Sequence, residues 1–338
     1  MTVRVGVIGV GMIGQAHIHR LTHALPGVQV GAVSDVDAQR AAAIAAELPG
    51  CRVHPTGQEL IADDAVDAVM VTSWGGTHEE FVLAGIAAGK QVFCEKPLAT
   101  TQEACRNIID AETAAGRRLV MVGFMRRYDE GYRAMRDVLA DGALGAPLMV
   151  HCAHRNASVP PTYVEDMAIQ DTAVHEIDVT RWLLDDEITA ARVLIPRRNS
   201  NAEPHLRDPL LVVLETSQGT LVDVEVSVNI RYGYDIRCEV VGELGTVALA
   251  DRAEVVVRRD GRVGGTVPTD WRERFRRAYD TELGDWLAAV AAGGSTGPSS
   301  WDGYAATAVA DACLVALRTG ERVPVALGER PALYAKAD

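Results

Sequence analysis

Three side chains in this sequence are equipped to move a proton on and off an oxygen. Asp171 and His175 stand four residues apart in QDTAVHEIDVTRWLLD, a segment whose pattern predicts a helix, so the two share one face. A histidine, with a reference pKa of about 6.5, suits accepting a proton from an alcohol near neutral pH, and a carboxylate beside it orients the ring and stabilises the imidazolium. Lys96, in Glu95-Lys96-Pro97, brings an ammonium that hydrogen-bonds the same oxygen and favours alkoxide character, or polarises the carbonyl in the reverse direction. Such a set serves removal of hydride from a secondary alcohol without a metal. Plainer roles compete with each: Asp171 as a helix N-cap, His175 as a satisfied helix histidine, Lys96 as a surface cation before a turn proline. Glu176 and Asp178 lie close by, but no cysteine pair accompanies them, so no metal is expected.

Hydride chemistry needs an acceptor, and the N-terminal end of the chain provides for one. The run VRVGVIG leads into Gly9-Val10-Gly11-Met12-Ile13-Gly14 and then into a helical segment, the context a dinucleotide fingerprint requires. The first glycine permits the tight turn, the second lets backbone approach a pyrophosphate, and the third lets helix pack on strand, while the helix N-terminus attracts phosphate. Asp35 closes the next strand about 20 residues beyond Gly14, where a carboxylate accepts ribose hydroxyls and repels a 2′-phosphate. Val36 follows it rather than a basic residue, which favours NAD over NADP, with Arg40 the one cation able to swing round. Ser73, Trp74 and His78, at and after the end of the run VDAVMVTS, together with Glu95 and Lys96, complete the expected cofactor-binding set, because ligands of such sheets lie beyond the carboxyl ends of the strands.

The elements that hold these residues read as two blocks. From residue 3 to about 150, the β-branched runs VRVGVIG, VQVGAVSD, VDAVMVTS, QVFCEKP and RLVMVGF alternate with alanine-rich helical stretches, the rhythm of a doubly wound parallel sheet of the Rossmann type. From about residue 148 the runs LMVHCAHR, AARVLIPR, LLVVLETS, TLVDVEVSV, RCEVVGELGTVALA and EVVVRR follow one another with turn signals between, predicting an α+β domain on a mostly antiparallel open sheet. Two later helices are expected at about 279–292 and 302–319, separated by a loose stretch from Gly293 to Ser300. The expected domains are 1–123, binding dinucleotide, and 124–338, binding substrate and making oligomers.

Composition narrows the classes. The 338 residues, 48% hydrophobic, suffice for two packed domains. The formal net charge of −13, with no block of basic residues, argues against nucleic-acid and anionic-membrane partners. Six scattered cysteines without a C-x-x-C suggest buried thiols. No apolar run reaches the roughly 18 residues of a membrane span, and MTVRVGVIG begins a strand without a signal-peptide pattern, so a cytoplasmic location is expected.

With GVGMIG near the N-terminus, CEKP closing the fourth of these strands and D-x-x-x-H-E-I-D in the second block, the chain resembles the glucose-fructose oxidoreductase and inositol dehydrogenase family. The likeness narrows to its inositol 2-dehydrogenases through GFMRRYDEGY at 123–132, HRN at 154–156, RYGYDIRCEVVGELGT at 231–246 and WDGYAAT at 301–307. The resemblance implies oxidation of the axial hydroxyl of myo-inositol to 2-keto-myo-inositol, with hydride passing to C4 of NAD, in a homotetramer. It implies that Lys96 is the catalytic lysine and Asp171 and His175 the catalytic pair, with His175 accepting the proton. It implies that Met125, Arg126, His154, Asn156 and Tyr234 line the polyol pocket with them. Each of the last group has an ordinary alternative, among them pairing of Arg126 with Asp129 or Glu130, a strand-end role for Tyr234 and core filling by Met125. Two rivals remain at this level: the same enzyme class acting on another inositol isomer or a pyranose, and a dinucleotide-sensing regulator without turnover.

Overall fold

Strands that are valine- and isoleucine-rich along their whole length, rather than at alternate positions, are buried on both faces, and five such runs form the first sheet. The computed structural model describes residues 2–250 and 256–335. The strands are β1 (Val3–Ile8), β2 (Val28–Ser34), β3 (Arg52–Val53), β4 (Ala68–Val71), β5 (Gln91–Glu95) and β6 (Val120–Gly123). They pair in parallel in the order β3-β2-β1-β4-β5-β6, the order of doubly wound dinucleotide folds. The strand expected as the fourth is β5, because the edge strand β3 is two exposed residues with no hydrophobic signal. Crossover helices α1 (Met12–His23), α2 (Ala38–Ala46), α3 (Gly57–Ala62), α4 (His78–Ala87) and α5 (Gln102–Ala115) connect them. Asp37, Thr56 and Thr101 cap α2, α3 and α5 by accepting backbone N–H groups of the first turn.

The second block starts with α6 (Glu130–Ala140), N-capped by Asp129, and β7 (Pro147–Arg155). A π-helical turn over Ala168–Ala173 then runs directly into α7 (Val174–Leu184). Strands β8 (Ile188–Leu194), β9 (Leu210–Thr216), β10 (Leu221–Ser227), β11 (Asp235–Gly242) and β12 (Thr246–Ala248) follow, then a separate hairpin of β13 (Val257–Arg259) and β14 (Arg262–Gly264). The run EVVVRR therefore contributes to a hairpin rather than to the main sheet, and its residues 254 and 255 lie outside the described residues. Helices α8 (Trp271–Arg274), α9 (Arg276–Ala291) and α10 (Ser300–Thr319), strand β15 (Val323–Pro324) and a 3₁₀ turn over Ala332–Tyr334 follow. The second sheet runs β12-β11-β7-β10-β9-β8-β15 and is antiparallel except for the parallel β7–β10 pair. Burial alternates along β9, β10 and β11, so one face is core and the other half-exposed.

By contacts the chain forms two units, residues 1–124, 279–307 and 328–338 in one, and 125–278 and 308–327 in the other. Residues 279–307 and the described part of 328–338 thus return to the first unit after the chain has built the second. Glu112 on α5 shows why they pack there. Its buried carboxylate accepts the backbone N–H groups of Leu119 (2.6 Å) and Val120 (2.9 Å) and the hydroxyls of Ser300 (2.5 Å) and Tyr334 (2.7 Å). Among the described residues no helix is long and apolar enough to cross a membrane.

Candidate active site

The glycine loop after β1 meets each geometric demand of a phosphate-binding turn. Gly9 adopts φ +91°, and a side chain there would meet the backbone of Ser73 at 2.5 Å. A Cβ at Gly14 would stand 2.1 Å from the Gly9 carbonyl oxygen, so the third glycine is where α1 closes on β1. At Gly11, by contrast, a Cβ would meet nothing within 4 Å, which leaves open space beside the backbone at the start of α1. Thr72, not foreseen from the sequence, fixes the loop from the end of β4 by donating its hydroxyl to the Gly9 carbonyl at 2.6 Å. Met12 is exposed and Ile13 half-buried on the first turn of α1.

A cleft of about 740 Å³ opens from this loop, lined on one side by Asp35, Val36 and Arg40 and on the other by Ser73, Trp74 and Phe81. The Asp35 carboxylate accepts the backbone N–H groups of Val10 (2.7 Å) and Asp37 (2.8 Å), which aims it across the cleft with lone pairs to spare. Arg40, the cation lining the cleft, donates to Asp37 at 3.0 Å and is thus engaged at the N-cap of α2. Trp74 is 78% exposed on the cleft wall, and its ring covers Gly76, where a Cβ would clash at 2.3 Å. The open space at Gly11 and the carboxylate at Asp35 fit a dinucleotide with a free ribose diol.

Two buried histidines frame the Glu95-Lys96-Pro97 turn. His17 on α1 faces the Glu95 carboxylate through Nε2 at 2.7 Å, and the other carboxylate oxygen accepts the Lys96 backbone N–H at 3.1 Å. His78 is not among the residues lining the cleft. Its ring turns inward, Nδ1 lying 2.7 Å from the Pro97 carbonyl oxygen and Nε2 3.0 Å from that of Ser73, and burial lowers its pKa. His78 and Glu95 therefore reach the cofactor side through the backbone they hold, while Lys96 itself is half-buried.

In the second unit, Asp171 lies in the π-helical turn and His175 is the second residue of α7. The expected helix thus begins with a wider turn of i→i+5 bonding, a feature that recurs at functional sites. Asp171 does not occupy a cap position: the residues before the π turn and before α7 are Met167 and Ala173, neither of which caps through its side chain. Asp171 is exposed and His175 buried. The ring of His154, at the end of β7, lies 6.2 Å from that of His175 and 5.6 Å from that of Tyr234, edge-on to the latter. Tyr234 donates its backbone N–H to Pro268, and burial first, then Arg126 and Glu176, set its hydroxyl pKa, raised to about 12. Asn156 is half-buried, its backbone tied to Ser227 and Ile230.

Arg126, on the 3₁₀ turn Met125–Tyr128, pairs with neither Asp129 nor Glu130. Its Nη1 donates to Glu176 and its Nη2 lies 3.0 Å from His154 Nδ1. Asp129 instead takes Arg274, and Met125 is buried. Glu176 and Asp178, the residues beside His175, are bound to Arg126 and Arg127. The burial of Arg126 opposes its charge, but Glu176 holds the guanidinium protonated; burial likewise opposes the Glu176 carboxylate, which Arg126 keeps ionised. The second unit thus combines an acid-histidine segment with a wall of polar rings and amide, a surface able to bind a polyhydroxylated molecule and take a proton from it.

A dinucleotide-binding sheet followed by an open mixed sheet is the make-up of a nicotinamide-dependent oxidoreductase. The chain belongs to the GFO/IDH/MocA oxidoreductase family: its NAD-binding Rossmann-fold model matches residues 3–124 and its C-terminal alpha/beta domain model residues 136–327. Among its relatives, inositol 2-dehydrogenase 3 of Saccharopolyspora erythraea is 57% identical over 99% of this chain and 98% of that protein. Inositol 2-dehydrogenase of Azotobacter vinelandii is 54% identical over the full length of both. The crystal structure of myo-inositol dehydrogenase from Lactobacillus casei in complex with NAD(H) and myo-inositol superposes with a TM-score of 0.97 at 40% identity, covering 99% of this chain and 100% of that one.

Proposed function

We propose that this protein oxidises the axial hydroxyl of myo-inositol to 2-keto-myo-inositol, with NAD as hydride acceptor. The observation that carries this reading is the polar wall of the second unit, where His154, His175 and Tyr234 stand ring to ring beside Asn156. A polyol offers hydroxyls as donors and acceptors at every carbon, and such a wall can engage several while discriminating against analogues that lack one. The full-length likeness to inositol 2-dehydrogenases supports the substrate.

In this reading the loop at Gly9, Gly11 and Gly14 holds the pyrophosphate, Asp35 the ribose diol, and Ser73 and Trp74 the cleft wall. NAD, when bound, takes the hydride. His175 accepts the hydroxyl proton, Asp171 stabilises the imidazolium so formed, and Lys96 hydrogen-bonds the reacting oxygen. Met125, Arg126, His154, Asn156 and Tyr234 shape the polyol side, Arg126 through the residues it holds.

A homotetramer is part of the proposal. The outer face of the second sheet carries Val241, Met149 and Leu221 in register across β11, β7 and β10, a short apolar row suited to a second copy of the chain. Light scattering on the purified protein tests it, a monomer being the refuting result. Substrate and cofactor are tested by following NAD(P)H absorbance with myo-inositol, scyllo-inositol, D-chiro-inositol and D-glucose. NAD reduction by myo-inositol above the others is expected; preference for another ring overturns the substrate, and no reduction by any returns the protein to a sensing role.

A further inference from the structure

The centre of the second unit holds an ion triad in which Arg126 is 1%, Glu176 0% and His154 3% exposed. Burying a charged pair costs several kcal/mol, and apolar residues of like volume pack as stably. What the triad supplies in return is orientation.

The hydrogen-bond inventory fixes that orientation. His154 Nδ1 lies 3.0 Å from Arg126 Nη2 and 3.0 Å from Glu176 Oε2. A guanidinium only donates and a carboxylate only accepts, so Nδ1 can satisfy one of them and not both. Glu176 Oε1 already receives Arg126 Nη1, whereas Oε2 finds no donor among the described residues except His154. Arg126 keeps its Nη1 bond to Glu176 in either arrangement, and its guanidinium lies over the Phe275 ring, 5.5 Å from the centroid. Leaving a buried carboxylate oxygen without a donor is the costlier choice, so the proton belongs on Nδ1. Burial holds the ring neutral, against the pull of Glu176.

We infer that Glu176 is a positioning residue for the substrate: it fixes His154 in the Nδ1–H form, so that Nε2 accepts a hydrogen bond from a polyol hydroxyl and cannot donate one. The inference rests on the reading of His154 as part of the polyol wall. An acceptor at this point forces the hydroxyl it meets to donate, which leaves that oxygen's lone pairs for the neighbouring groups. Glu176 thereby acts on ring orientation without touching the substrate.

The test joins a spectroscopic and a kinetic readout on the full-length protein. Nitrogen-15 NMR of histidine-labelled protein, with His154→Asn supplying the assignment, should show a neutral ring protonated at Nδ1. In Glu176→Gln the amide N–H₂ faces Nδ1, and the signal should convert to the Nε2–H form. A set of monofluoro-inositols, in which fluorine cannot donate, should include one whose KM rises about tenfold in the wild type, the worth of one hydrogen bond, with most of that penalty gone in Glu176→Gln. An Nε2–H ring in the wild type overturns the inference, and this measurement stands even if Glu176→Gln fails to fold. An Nδ1–H ring with no fluoro-inositol penalised overturns the substrate contact. No NAD reduction by any polyol would strike the functional reading as well, a result distinct from the wrong tautomer in an active enzyme.

Discussion

Replacing Gly11 by alanine separates cofactor binding from folding in a way the neighbouring glycine cannot. Gly11 has φ −73° and ψ −159°, a conformation open to L-residues, and the added methyl would meet no protein atom within 4 Å. The fold should lose nothing, and fewer unfolded conformations even favour it by about 0.4–1 kcal/mol. The methyl instead occupies the space a pyrophosphate needs to reach the loop backbone. Loss of one or two charge-assisted N–H contacts, at about 1.5–3 kcal/mol each, weakens NAD by about ten- to ten-thousand-fold. Gly14→Ala behaves oppositely, since its methyl lands 2.1 Å from the Gly9 carbonyl oxygen and must push α1 away by about an ångström. That overpacking costs about 1–3 kcal/mol of stability in addition to cofactor binding. Thermal unfolding without cofactor, together with NAD titration by calorimetry, reads both effects. A Gly11→Ala protein that binds NAD as tightly as the wild type, or that melts well below it, refutes the assignment of that open space to the pyrophosphate.

Three other outcomes are expected. His175→Gln should lower turnover about 10²- to 10⁴-fold while leaving the NAD dissociation constant unchanged, and wild-type turnover would remove His175 from the proton-accepting role. Asp35→Ser should raise the kcat/KM ratio of NADP to NAD, and adding Arg40→Ala should lower it again if Arg40 leaves Asp37 to meet the 2′-phosphate; an unchanged ratio in Asp35→Ser would mean that carboxylate faces elsewhere. Acid should destabilise the fold through His78 and His154, whose folded pKa values burial holds below the unfolded value of about 6.5. The unfolded chain then binds more protons, so stability is complete above about pH 6.5 and falls by up to about 1.4 kcal/mol per pH unit for each histidine as pH drops toward the folded values. Urea titrations between pH 7.5 and 5 measure that slope, and a steeper loss in His78→Ala than in the wild type would contradict it.

Much of this was legible because it is written in short-range pattern. β1, β2, β4, β5 and β6 are largely apolar, valine-rich runs, and the loop at Gly9, Gly11 and Gly14 sits where strand gives way to helix. Other features depend on partners far along the chain. Arg126 has acidic neighbours at Asp129 and Glu130, yet its partner is Glu176, because Asp129 is engaged by Arg274 and by the first N–H groups of α6 while Glu130 is exposed. His78 follows a cleft-lining loop but turns inward to two carbonyls, a choice made by the position of Pro97 and not by its own neighbours. The two-residue β3 carries no periodicity to detect, and the π turn before α7 leaves no compositional mark. The apolar positions of α9 and α10 announced buried helices without saying which sheet they would cover.

The four donors gathered on Glu112 come from residues separated by more than half the length of the chain, and that spacing bears on how the protein is made. While the ribosome has delivered only the first 124 residues, the carboxylate of Glu112 has its two backbone donors but neither Ser300 nor Tyr334. The dinucleotide sheet can form its strand order early, yet its interior closes only when Ser300 and Tyr334 have left the exit tunnel. Vectorial synthesis thus leaves the cofactor half waiting for the tail, so a chain stopped short of Tyr334 would carry its defect in the part that was translated first.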